Sequence, residues 1–165
     1  MLGDDQATTK EVAKALPTHA WARTSPATAT ADLADPSQGG LQLPGGLLAV
    51  GDLSGHDLRH SELAVLFACQ TAAGSISNPD EAINLATVMH YAGYRHVVGT
   101  IWSIPNSYAA RLAYRFYKKI FQDGALKTDM SARALHAAVR ELRQRLPESD
   151  VHGITAWMPF IHLGP

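Results

Sequence analysis

The side chains best suited to nucleophilic chemistry in this 165-residue chain are one cysteine, Cys69, and eight histidines. A cysteine thiolate attacks a carbonyl carbon, and an imidazole in reach takes and returns the proton. Cys69-Gln70-Thr71 directly follows the apolar run Leu63-Ala64-Val65-Leu66-Phe67-Ala68, which has strand length. The thiol therefore stands where a buried strand gives way to a loop, the end at which ligands gather in open parallel sheets. A lone cysteine is also commonly a small core residue, so its position needs a partner base to mean more. His19 precedes an early segment, and His56 and His60 lead into the Cys69 run. His90, His96, His136, His152 and His162 follow it, with no pattern that turns any of them toward Cys69.

Other chemistries are poorly served. One cysteine permits no intramolecular disulfide, and there is no His-Glu-x-x-His, so neither a metal nor a cofactor is expected. Asp80 and Glu81 are a carboxylate pair, but adjacent acids at a helix start answer to the helix dipole rather than to acid–base work. Gly39-Gly40 and Gly45-Gly46 lack the Lys-Ser/Thr of a phosphate loop and read as turns. Trp102 ends a strand pattern, where it either lines a cleft or packs in the core.

The elements that would position Cys69 are legible in outline. Thr8 to Leu16 predicts a short helix, with Thr8 and Glu11 at capping-box spacing and Pro17 to stop it. Asn78-Pro79-Asp80-Glu81 opens another helix carrying Ile83, Val88 and Met89, with Gly93 as C-cap. His96 to Trp102, with Gly99 inside it as a point of close approach, predicts a second buried strand. Amphipathic helices follow over 106–122, packing Leu112, Phe116 and Ile120, and over 128–146, packing Leu135, Val139, Leu142 and Leu146. Trp157 to Leu163 predicts a last strand, with Pro159 marking it as an edge or a bulge. This order gives an α/β domain with a mostly parallel sheet.

Composition sets the outer bounds. The chain is 46% hydrophobic and 18% charged, as in an ordinary globular domain. A net charge of −1 gives no reason to expect nucleic acid or an anionic membrane as partner. Most Lys and Arg fall between Arg111 and Arg145 among aliphatic residues, which reads as solvated helix faces. Apolar runs fall short of the ~20 residues that span a bilayer. With one free thiol and no signal-peptide pattern, a reducing cytoplasm is the expected compartment.

Leu66-Phe67-Ala68-Cys69-Gln70-Thr71-Ala72 resembles the nucleophile strand of the CHAT family, caspase-like domains often fused to tetratricopeptide repeats in bacteria, with Phe67 where Ser is usual. Asp80-Glu81-Ala82-Ile83 and Gly93-Tyr94-Arg95-His96-Val97-Val98-Gly99-Thr100-Ile101-Trp102 are similar to the helix and strand that follow. Trp157-Met158-Pro159-Phe160-Ile161-His162-Leu163-Gly164 is similar to the closing strand, and Asp35-Pro36-Ser37-Gln38-Gly39-Gly40-Leu41 to the loop after the family's histidine. The resemblance implies a caspase-like three-layer fold and a cysteine endopeptidase acting on a protein or peptide substrate. By it, Cys69 is the nucleophile and the Cys69 backbone N–H part of the oxyanion site. A tetratricopeptide-repeat region in a longer parent protein is implied in the same way.

The family's His-Phe-Ala-Cys-His-Gly-like segment has no counterpart here: Ala27 or Thr28 stands where the catalytic histidine belongs. Residues 23–30 read Arg-Thr-Ser-Pro-Ala-Thr-Ala-Thr, without a hydrophobic period. One allowed coding of them is CGC-ACT-TCG-CCT-GCC-ACG-GCG-ACG, which read two bases later gives His-Phe-Ala-Cys-His-Gly-Asp. A frameshift over residues 23–30, reversed near Thr30, accounts for the loss. Three functions compete: a cysteine endopeptidase awaiting its histidine, a pseudo-peptidase that keeps the fold and at most binds a partner, and a small α/β binding module in which Cys69 is only core. The resemblance begins mid-domain, so residues 1–165 are expected to be one partial CHAT domain without its N-terminal strand or strands.

Overall fold

The computed structural model describes residues 8–16, 19, 21–24, 28–30, 38, 40–43, 45–54, 58, 60–67, 80–102, 104–146 and 155–165. Among the described residues its main sheet has four strands: β1 (Trp21–Thr24), β5 (Leu63–Leu66), β6 (His96–Thr100) and β9 (Phe160–Leu163), in that spatial order. β1 runs parallel to β5 and β5 to β6, while β9 is antiparallel to β6. The fold is α/β with a mostly parallel sheet, and the closing strand is the antiparallel edge.

Alternation along β5 divides the core between the two faces, as the period of two requires. Ala64 and Leu66, with Val97 of β6, pack with Leu53, Ala86, Met89 and Ala92, which come from α2 (Val50–Ser54), from α3 (Asp80–Tyr91) and from just beyond it. Leu63, Val65 and Phe67, with Val98, pack on the opposite face. There they meet Leu112, Phe116 and Ile120 of α4 (Asn106–Ile120) and Ala134, Leu135, Ala138 and Leu142 of α5 (Ser131–Arg143). Helices thus cover both faces, which explains why β5 and β6 are buried throughout and read as continuous apolar runs.

Local chemistry sets several boundaries. Thr8 Oγ1 accepts the backbone N–H of Glu11 at 3.4 Å and caps α1 (Thr9–Ala15), as the spacing predicts. Gly93, at φ 124°, ends α3 in a Schellman motif: Tyr94 N–H donates to Met89 O at 3.1 Å and Gly93 N–H to His90 O at 3.1 Å. That turn aims the chain straight into β6. Gly99 sits under α3, and a Cβ there would lie 3.4 Å from Ala86 Cβ, so a small residue meets a small residue where helix crosses strand.

Three sequence expectations change. A short antiparallel sheet, β2 (Thr28–Thr30), β3 (Gly40–Leu43) and β4 (Gly46–Ala49), occupies segments read as turns or as lacking any period. The turn reading survives at Gly45 and Gly46, whose φ values of 91° and 139° join β3 to β4. The two amphipathic helices are shorter than expected. α4 gives way to a hairpin, β7 (Phe121–Gln122) and β8 (Ala125–Leu126), turned by Asp123-Gly124 at φ 51° and 75°, and α5 follows a 3₁₀ turn, Thr128–Met130. The last strand starts at Phe160, after Pro159, because residues 155–157 are helical. The cap residues Asn78 and Pro79 lie outside the described residues.

Candidate active site at the carboxyl ends of the parallel strands

The ladder between β1 and β5 sets the geometry. Trp21 pairs with Leu63, Ala22 with Ala64, Arg23 with Val65 and Thr24 with Leu66. The carboxyl ends of the two strands therefore leave the sheet side by side and in step. Cys69 and its backbone N–H lie outside the described residues, as does Ala27. What the structure describes is the frame on which they are carried.

Phe67 anchors that frame two residues before Cys69. It is 5% exposed and makes edge-to-face contacts with Phe116 of α4 (centroids 6.4 Å apart) and Phe160 of β9 (5.8 Å). An aromatic ring here ties the end of β5 both to the helix layer and to the edge strand. Next to it, β6 ends at Thr100, whose buried hydroxyl has no hydrogen-bond partner. Ile101 N–H donates to Pro159 O at 2.9 Å, and Trp102 Nε1–H donates to Thr155 O at 3.0 Å. Trp102 packs with Phe160 against Ile104 and Ala109. Of its two sequence readings, these contacts favour the packing one.

Several of the described histidines lie toward the other end of the sheet. His19 comes before β1 and His60 before β5, and His96 is the first residue of β6. His19 Nδ1 lies 2.9 Å from Ala15 O, and His60 is exposed. Leu63 pairs with His96, so Leu66 lies three residues, about 10 Å, farther along the ladder toward the carboxyl end. His162 of β9 pairs across from Val98. Its ring lies 5.4 Å from that of His96, and its Nε2 is 2.9 Å from Ser131 Oγ. His96 is 2% exposed, with neither ring nitrogen hydrogen-bonded. Burial holds both imidazoles below the ordinary histidine range; Arg95 and His90 add to the effect at His96, where Glu62 and Asp129 oppose it, and His96 and His90 add to it at His162. His90 Nδ1 is 2.9 Å from Tyr94 O, and His136 is exposed on α5. His56 and His152 lie outside the described residues. None of the described histidines stands at the carboxyl end of β5 to replace an imidazole at position 27. The His96–His162 pair had no signal in the sequence, since only strand register brings the two together.

Among the described residues no group of three or more His, Cys, Asp or Glu is placed to hold a metal ion. No helix among them is long and apolar enough to cross a membrane. Asp80 opens α3, at the position where the helix dipole favours an acid.

The family model of the CHAT domain matches residues 4–165. The chain belongs to the CHAT-domain family. CHAT domains are a caspase-like peptidase family, and that general kind is what membership brings to this chain. No curated protein matches it. Within this CHAT domain, β5 is the strand that precedes the Cys-Gln-Thr triplet in the chain, and β1 the strand that precedes residues 25–27.

Proposed function

We propose that this CHAT domain carries the nucleophile half of a cysteine-endopeptidase site, with Cys69 as the attacking thiol and position 27 as the vacant place of its base. The parallel register of β1 and β5 supports this reading above all else. Thr24 pairs with Leu66, and positions 27 and 69 each lie three residues beyond that last pair. A base and a nucleophile carried on adjacent parallel strands, equally far past their ends, is the arrangement a dyad needs.

In the complete reaction the Cys69 thiolate adds to a peptide carbonyl, and the Cys69 N–H helps hold the oxyanion. The C–N bond then breaks, leaving a thioester on Cys69, and the leaving amine takes a proton from the protonated base. Water, deprotonated by the same base, releases the acid. Alanine at position 27 can neither take the thiol proton nor protonate the amine. The chain as written is therefore a silent form of the site, able to hold a polypeptide but not to turn it over. Reading residues 23–30 in the shifted frame restores the imidazole and with it the peptidase.

Hydrolysis of a mixed peptide library tests this. The chain should cleave nothing, Ala27→His should gain cleavage, and adding Cys69→Ala should abolish the gain. Cleavage by the unaltered chain that Cys69→Ala removes would mean that another group serves as base.

A further inference from the structure

The near-neutral net charge conceals a segregation. Residues 106–146 hold 9 Lys and Arg against 3 Asp and Glu, a net of +6, while the rest of the chain holds 5 against 12, a net of −7. The basic segment is the α4/α5 layer, which covers one face of the main sheet. Because Leu112, Phe116, Ile120, Leu135 and Leu142 turn inward, the charges are forced onto the outer surface. Arg111, Lys118, Arg133 and Arg140 are exposed there, beside Tyr114, 68% of whose surface is open.

The two helices themselves hold one carboxylate. Glu141 of α5 meets Lys119 Nζ at 2.6 Å and Arg115 Nε at 3.6 Å across the seam between the helices. The hydrogen bond from Lys119, with Arg115 and Arg145 close by, holds its carboxyl below the usual range. A single acid thus pairs with two cations, with Arg145 also near it, while Arg111 and Lys118 of α4 and Arg140 of α5 make no ion pair with an acid among the described residues.

We infer that the outer face of α4 and α5 docks an acidic polypeptide segment, its carboxylates taking places equivalent to that of Glu141. Size and charge favour this occupant. The 15-residue α4 is about 22 Å long, the reach of six or seven extended residues. A long polyanion such as a duplex would overrun the face onto a remainder of net −7, and the pI of about 6.7 is far from that of a basic nucleic-acid module. A bilayer would need an apolar face on these helices, and theirs is spent on the core.

Fluorescence anisotropy of the full chain with a labelled eight-residue Glu-rich peptide tests the inference. Binding should weaken with salt, and Arg111→Glu/Lys118→Glu/Arg140→Glu should lose about tenfold or more in affinity. Lys10→Glu, an exposed reversal on α1, should leave it unchanged, and the thermal melt of each variant reports that the fold is intact. Absent binding, equal binding by the triple variant, or tighter binding of a duplex oligonucleotide or of phosphatidylserine vesicles would each overturn it. The assay makes no use of Cys69 or position 27, so it stands or falls apart from the peptidase reading.

Discussion

Truncating Phe67 should cost this domain a large share of its stability, because that ring joins three elements at the end of β5. Burying a phenylalanine contributes about 1.5–3 kcal/mol. Phe67 is 5% exposed, so most of that applies. Its two edge-to-face contacts, with Phe116 and Phe160, add about 0.5–1.5 kcal/mol each. The sum, about 2.5–6 kcal/mol, brackets the usual cost of about 3–5 kcal/mol for removing a core phenylalanine. Phe67→Leu keeps most of the burial and loses only the ring contacts, for about 1–3 kcal/mol. Phe67→Ser, the residue usual in the family, should be worse than alanine by about 1–3 kcal/mol unless its hydroxyl finds a partner. Urea denaturation of the three variants gives these differences from midpoint and slope. A double-mutant cycle with Phe160→Leu should return a coupling of about 0.5–1.5 kcal/mol. A loss below about 1 kcal/mol for Phe67→Ala, or Leu and Ala variants of equal stability, would refute the anchor.

Three further outcomes follow from the same structure. Burial holds His96 and His162 below the ordinary 6.5, so the fold favours their neutral forms; stability is complete above about pH 6.5 and falls as the pH drops below it. His96→Leu should flatten that acid slope in melts between pH 7 and pH 5 without weakening the fold at pH 7, since neither ring nitrogen has a partner to lose; Glu62 and Asp129 attract a charged His96, while Arg95 and His90 oppose it. Thr100→Val should be neutral or raise the urea midpoint, because it removes a buried hydroxyl that bonds to nothing. Gly40→Ala should break the β3–β4 ladder, where a Cβ would collide with the Leu48 carbonyl, and hydrogen exchange at Leu41 and Leu48 should speed up while β5 stays protected.

The parts of the fold that could be read from sequence are those where one pattern dominates. β5 and β6 are buried on both faces, so their apolar runs were unambiguous. α4 and α5 have one buried stripe each, and Leu112, Phe116, Ile120, Leu135 and Leu142 were placed correctly by their spacing. The small sheet was missed because β2, β3 and β4 have three or four residues each, too few for alternation to appear, and glycine and threonine take up much of them. The β7–β8 hairpin carried a readable signal, Asp123-Gly124, but lay at the end of a strong helical period that overran it. At the site, the assignment of Cys69 and of a lost histidine near position 27 rests on the family resemblance alone, and both positions lie outside the described residues. No reading of one chain gives the pairing of Thr24 with Leu66, which depends on two strands about 40 residues apart in sequence. The same holds for His96 and His162, brought together by β6 and β9.

The central claim is that position 27 is where the base of Cys69 belongs, and the pH dependence of Cys69 alkylation by iodoacetamide tests it most directly. Cys69 is the chain's single thiol, so the rate reports one group. In the unaltered chain the rate should rise through the ordinary thiol range, about 8.5. In Ala27→His an adjacent imidazolium should stabilise the thiolate and bring reactivity down to about pH 7 or below. Identical profiles for the two proteins, both folded, would contradict the account.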